Sequence, residues 1–234
     1  MKSAYLTIDD SPGKDFIAKM EYLHQQGIPA LFFCIGNLMQ KNELAMRAAI
    51  ERGFMIGNHS FSHPFFSTLS LEDCRREILQ TDQIIEQLYQ DAGVQRPAKY
   101  FRFPYFDIGG DKQTELQQYL HALGYRQPPF EGINPKYFSD PSLLQEMDVR
   151  CTFDQAEYWY QQPDAPLGLS TADAILARID EDLPYEGRAL NREDTVDIIL
   201  VHDHDNTTEL FYRIMARYIH KGIQFVSIPS IRLT

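Results

Sequence analysis

The chain has 234 residues, 44% of them hydrophobic and 24% charged, with a formal net charge of −11. That length suits one α/β domain burying roughly 70–75% of its unfolded surface. The acidic balance argues against nucleic acid as a partner, gives no support for docking on anionic lipid and leaves a neutral glycan open. Pro and Gly, 13 of each, are scattered without a low-complexity tract or internal repeat, so 1–234 is expected to be a single catalytic-size domain.

Met1 is followed almost at once by an apolar strand, which leaves no room for a signal peptide, and the chain as given is expected to be cytoplasmic. Apolar runs near 4–8, 29–35, 54–58, 100–104, 148–153, 196–201 and 225–228 read as buried strands. None approaches the ~18–20 apolar residues of a membrane helix, so no membrane partner is expected. Amphipathic stretches near 15–26, 43–52, 111–123, 171–183 and 209–221 separate most of the strands. A further one opens at Ser70-Leu71-Glu72-Asp73, an N-cap followed by acids, and stops at Gly93. Alternation of this kind predicts a parallel sheet with helices outside, a single distorted (β/α)7-8 barrel with its site at the C-terminal ends of the strands. Cys34, Cys74 and Cys151 lie in strand or helix patterns and fit reduced thiols better than a disulfide framework.

Polar clusters stand just beyond the apolar runs: Asp9-Asp10, His59-Ser60-Phe61-Ser62-His63, Arg102-Phe103-Pro104-Tyr105, Asp154-Gln155-Ala156-Glu157-Tyr158 and His202-Asp203. A His-x-x-x-His pair places both rings on one side of a helical turn, within reach of one ion. A strand-end carboxylate is an acceptable third ligand, leaving a position for water, and a second carboxylate beside it can handle protons. Taken singly each cluster has an ordinary reading: a surface histidine pair, an aspartate turn or N-cap, a solvated His202-Asp203-His204-Asp205 loop. Their order and their placement at strand ends are what make a hydrolase site.

Thr7-Ile8-Asp9-Asp10-Ser11-Pro12 resembles the opening Thr-Phe-Asp-Asp-Gly-Pro motif of the polysaccharide deacetylases, carbohydrate esterase family 4. His59-Ser60-Phe61-Ser62-His63 resembles that family's metal motif, Arg102-Phe103-Pro104-Tyr105 its third motif, and Ile199-Leu200-Val201-His202 the strand ending in the catalytic histidine. The resemblance implies one divalent ion, zinc foremost with nickel or cobalt accommodated, on Asp10, His59 and His63. It implies Asp9 as the general base and His202 as the general acid for the leaving amine. Tyr105 would supply a backbone N–H to the oxyanion, Arg102 would pair with Asp9, and Glu157 would orient His202. The implied substrate is an acylated sugar or glycan, with an amide hydrolase on a non-polymeric substrate (an amino-sugar deformylase or a cyclic-amide hydrolase) or an inactive glycan-binding relative as alternatives.

The sequence departs from the family at three places. Ser11 replaces the glycine, and the fourth motif becomes Asp154-x-x-Glu157-Tyr158 with Trp159 one place late, so Asp154 competes with Glu157 for His202. Tyr158 or Trp159 is expected either to wall an acetyl pocket or to be core. The Pro-rich, aromatic stretch 126–147 reads as an insertion, expected to wall one side of the mouth.

Overall fold

A computed structural model of the chain describes residues 2–137, 141–184 and 187–230. Strands β1 (Lys2–Ser11), β2 (Ala30–Cys34), β3 (Met55–Asn58), β4 (Phe153–Asp154), β5 (Asp197–His202) and β6 (Ile223–Phe225) form one parallel sheet in the order β3-β2-β1-β5-β4, with β6 paired to the start of β1. The sheet curves back on itself. Asn58 N–H donates to the Tyr100 carbonyl (2.8 Å), Val149 N–H to that of Phe101 (2.8 Å) and Thr152 N–H to that of Ile198 (2.9 Å), so hydrogen bonds run from β3 through residues 100–102 and 149–154 to β5. The expected strands at 100–104 and 148–153 are thus short staves, regular only at Phe101, Asp148 and β4.

Strand periodicity sorts the core into two layers. Ala4, Leu6, Ile8, Ala30 and Phe32 pack outward against helices α1 (Phe16–Gln25), α3 (Glu43–Glu51) and α7 (Thr208–His220). Tyr5, Leu31, Phe33, Tyr100, Val149 and Ile198 point inward and fill the barrel. Helix α4 (Leu71–Asp91) begins as expected, with Ser70 Oγ accepting from Asp73 N–H at 3.1 Å. It and α5 (Gln113–Ala122) cover a third apolar cluster around Phe66, Phe101, Phe103 and Tyr125. A four-residue helix, α2 (Gly36–Met39), follows β2 and had no signal in the apolar pattern.

Three expectations need correction. The helix expected over 171–183 is α6, only Ala172–Ala177, followed by a 3₁₀ turn at Arg178–Asp180; Arg178 is buried and its guanidinium donates to the Asp154 carbonyl at 2.7 Å, which ties the chain down where a longer helix would lift it away. The last strand lies at 223–225 rather than 225–228, and Val226 N–H closes it on the Ala4 carbonyl. The stretch 126–147 does not wall the mouth in its first part. Phe130 packs on Tyr5 (ring centroids 4.7 Å), Val196 N–H donates to the Gly132 carbonyl (2.9 Å), and Asn134 N–H donates to Thr195 Oγ1 (3.0 Å). These partners sit at the N-terminal ends of β1 and β5, so Phe130 and Ile133 complete the inner core from the end opposite the site. Residues 138–140 of this stretch lie outside the described residues. Among the described residues no helix is long and apolar enough to cross a membrane.

Candidate active site

Strict alternation along β1 would send Asp10 outward, on the opposite face from Asp9. Instead the pairing with β2 shifts register between Ile8 and Ser11, and Asp10 takes a left-handed backbone with φ 63°. A bulge re-aims a side chain, and here it turns both carboxylates into one cleft of about 440 Å³ at the C-terminal ends of the strands.

The two histidines do converge, but not on a helical turn. Residues 59–63 form a tight loop with Ser60 at φ 65° and His63 at φ 60°. Glu77 of α4 accepts the N–H groups of Phe61 (2.8 Å) and Ser62 (2.7 Å), Asn58 Oδ1 accepts that of Ser60 (2.9 Å), and Ser60 Oγ accepts that of His63 (3.1 Å). The backbone groups a helix would have satisfied internally are satisfied by these side chains. The imidazole centroids end 4.9 Å apart.

His59 Nδ1 lies 2.9 Å from the carbonyl of Arg102. A carbonyl only accepts, so Nδ1 carries the proton and Nε2 presents a lone pair to the cleft. That Nε2 faces Asp10 Oδ1 at 3.5 Å and Asp9 Oδ2 at 3.6 Å, while His63 Nε2 lies 3.0 Å from Asp10 Oδ1. Asp10 Oδ1 is buried and makes no directed hydrogen bond to either ring. Ligand atoms of a tetrahedral ion at ~2.0–2.2 Å stand about 3.3–3.6 Å apart. Acceptors gathered at such separations without satisfying one another fit a divalent cation, and Asp10, His59 and His63 are the residues that would hold it. Burial on its own would raise the Asp10 pKa, but the imidazoles of His204, His59 and His63 outweigh it and hold the carboxyl well below the usual range.

Arg102 is fully buried and fixes Asp9: its Nη1 donates to Asp9 Oδ1 (2.7 Å) and Thr7 Oγ1 (3.0 Å), and its Nε to the Val149 carbonyl (2.9 Å). Across the cleft, Asp154 and Glu157 both stand close to His202 and are placed differently. Asp154 Oδ1 accepts Ala156 N–H at 2.8 Å and caps the turn. Glu157 Oε1 accepts the backbone N–H of His202 and stands 3.5 Å from its Nδ1. Burial pushes the His202 pKa down, but the Glu157 carboxylate beside the ring, helped by the charges of Asp154 and Asp10, lifts it to about 10.

Tyr105 lines the cleft with φ 57°, and Tyr158 lines it with its ring edge-on to His202, 4.9 Å between centroids; Trp159 does not reach it. His204 stood in the sequence reading only as part of a solvated loop, and Phe65 was not singled out. His204 Nε2 contacts Asp10 Oδ2 at 2.8 Å, and Phe65 stacks on Tyr105 at 4.0 Å with 11° between planes. The His202-x-His204 spacing was the available signal for the first, since alternate residues leaving a strand share a side.

The fold and the cleft together define a class: an α/β barrel with a carboxylate–imidazole cluster at the strand C-termini, Asp9 and His202 on opposite flanks. The polysaccharide deacetylase family model matches residues 1–128, more than half of the chain, and the protein belongs to that family. The chain is 33% identical over 104 residues to a peptidoglycan-N-acetylglucosamine deacetylase of Bacillus cereus (44% of this chain, 36% of the relative). It is 30% identical over 143 residues to a chitooligosaccharide deacetylase of Sinorhizobium fredii (60% of this chain, 62% of the relative). The matches thus span less than two thirds of either relative. The fold is similar to that of a family 4 carbohydrate esterase from Streptomyces lividans in complex with acetate, with a TM-score of 0.62 and 24% identity over 95% of this chain and 90% of that one.

Proposed function

We propose that the protein is a metal-dependent deacylase that removes an acyl group, N-acetyl foremost, from an amino sugar or glycan by way of an activated water. What supports this reading above all is the convergence in one cleft of an Asp10/His59/His63 ligand set with an Arg102-held carboxylate on one side and a Glu157-held imidazolium on the other. Zinc, or nickel or cobalt in its place, would supply a Lewis acid that brings a water's pKa toward ~7 and polarises the acyl oxygen. Asp9, aimed by Arg102, accepts the proton of the attacking water. The Tyr105 N–H donates to the developing oxyanion. His202, cationic at neutral pH, gives its proton to the leaving amine, and Glu157 keeps the ring in position.

Phe103 and Tyr158, both in the cleft lining, offer an apolar wall for an acyl methyl. The half-exposed Phe65–Tyr105 stack at the rim offers a flat apolar face to a pyranose ring. The printed activities of the two sequence relatives point the same way, to N-acetylglucosamine-containing oligosaccharides as the first substrates to try. The test is acetate release from a chitooligosaccharide series and from O-acetylated sugars, with chelator and zinc re-addition. No acetate from any of them while the protein holds one ion would end the deacetylase reading. Formate released from an N-formyl amino sugar in place of acetate would move it to the amide-hydrolase alternative.

A further inference from the structure

The geometry points to a role for His204 that rests on Asp10 being a metal ligand: we propose that the His204 imidazole is the positioning group of that ligand, holding the outer oxygen Oδ2 so that Oδ1 alone is presented with His59 and His63. Asp10 needs such a group. Its backbone is left-handed, so strand register does not fix its side chain, and only one of its oxygens faces the other two ligand atoms. The other oxygen is met by His204 Nε2 at 2.8 Å. His204 is not itself part of the set of ligand atoms gathered around Oδ1. A hydrogen bond to the free oxygen of a ligating carboxylate fixes its orientation, the role that outer partners play around bound metals. Burial aside, His204 is the first among the imidazoles that hold the Asp10 carboxyl low, which agrees with a close, directed contact.

The loop that carries His204 is built to hold it there. Asp203 N–H donates to the Asp9 carbonyl at 2.9 Å, locking the end of β5 to the end of β1. The Asp203 carboxylate accepts Gly13 N–H and Lys19 Nζ, each at 2.7 Å, and Lys19 Nζ also donates to the His204 carbonyl at 3.0 Å. Lys19 is 2% exposed, so this anchor has little freedom to shift. Gly13 allows the approach, since a Cβ there would lie 2.3 Å from the Asp203 carbonyl oxygen. The end of β5 therefore delivers His202 and, two residues on in the anchored loop, the group that aims a metal ligand.

Zinc affinity, measured by competition with a chromogenic chelator, tests the assignment on wild type, His204→Ala, His204→Gln and His59→Ala, with melting of the metal-free proteins as the check on folding. His204→Ala is expected to bind zinc about 10- to 100-fold more weakly. His204→Gln, whose amide N–H can replace the imidazole donor, is expected to recover most of that. At saturating zinc His204→Ala should keep its KM and lose only a small part of kcat. Affinity of His204→Ala within about twofold of wild type overturns the proposal. So does a His204→Gln protein as weak as the alanine variant with an altered cobalt absorption spectrum, which would make His204 a ligand in its own right. Wild-type affinity in His59→Ala would instead overturn the ligand set, and the proposal with it; the two failures are separate measurements.

Discussion

On the Asp9 flank of the cleft Asp9 and His59 are held by well-formed hydrogen bonds: Arg102 donates to Asp9 and Thr7, and His59 donates to the Arg102 carbonyl. On the His202 flank the scaffold is thinner. Glu157 sits in a 3₁₀ turn after a two-residue strand, Ala156 before it is left-handed, and both Glu157 Oε2 and His202 Nδ1 are buried without a hydrogen-bond partner among the described residues. The difference teaches that Asp9 and His59 are already fixed in place by Arg102, whereas the 3.5 Å Glu157–His202 contact is of the kind that tightens on binding. Substitutions on the first flank should therefore strike chemistry outright, and those on the second should change how the protein titrates.

The largest effect is expected from Asp9→Asn, which keeps the shape and the Arg102 contact but cannot accept a proton. Turnover should fall on the order of 10²–10⁴-fold with zinc content unchanged, measured as kcat beside metal analysis. Loss of zinc from Asp9→Asn with retention in Asp10→Asn would exchange the two aspartate roles and break the comparison at its firmer side.

Next comes Glu157→Gln. His202 has its pKa raised to about 10, so its cationic form persists at neutral pH and is lost as pH rises through that value. The alkaline limb of the kcat profile should therefore lie near that pH in the wild type. Removing the Glu157 charge should bring the limb down toward the ordinary histidine value of ~6.5. The same sign governs stability: a raised histidine pKa contributes below ~6.5, and the contribution disappears as pH rises through the folded value. A limb that stays in place in Glu157→Gln, with kcat merely scaled down, would assign the shift to Asp154 instead.

Legibility in the sequence follows the same division. The strands at 4–8, 29–35, 54–58 and 196–201 were readable because each is a continuous apolar run between turn residues, and the polar clusters were readable because each stands at the end of such a run. The bulge at Asp10 was not, since nothing local in Asp9-Asp10-Ser11 states that the register slips there. Nor was the His204–Asp10 contact, which joins residues 194 positions apart. The first part of the stretch 126–147 misled because proline and aromatic residues mark a loop without saying which end of the barrel it closes. Phe130 and Ile133 answer to the open bottom of the inner core, a need that exists only once the barrel has formed.

The smallest expected effect is at the rim between the flanks. Among the exposed large apolar side chains, Phe65 at 51% and Tyr105 at 55% are aromatic, and they stack on each other beside His63. An aromatic contact of this kind contributes on the order of 0.5–1.5 kcal/mol, so Phe65→Ala should raise KM roughly 2- to 12-fold for a chito-tetraose while leaving a monosaccharide substrate unaffected. Such a split places a neighbouring sugar ring on the Phe65 face. A fall in kcat on both substrates with KM unchanged would mean that Phe65 acts through Tyr105 instead, keeping its left-handed backbone and oxyanion N–H in place. The rim would then belong with the Asp9 flank, and the sugar ring would have to be held elsewhere in the cleft.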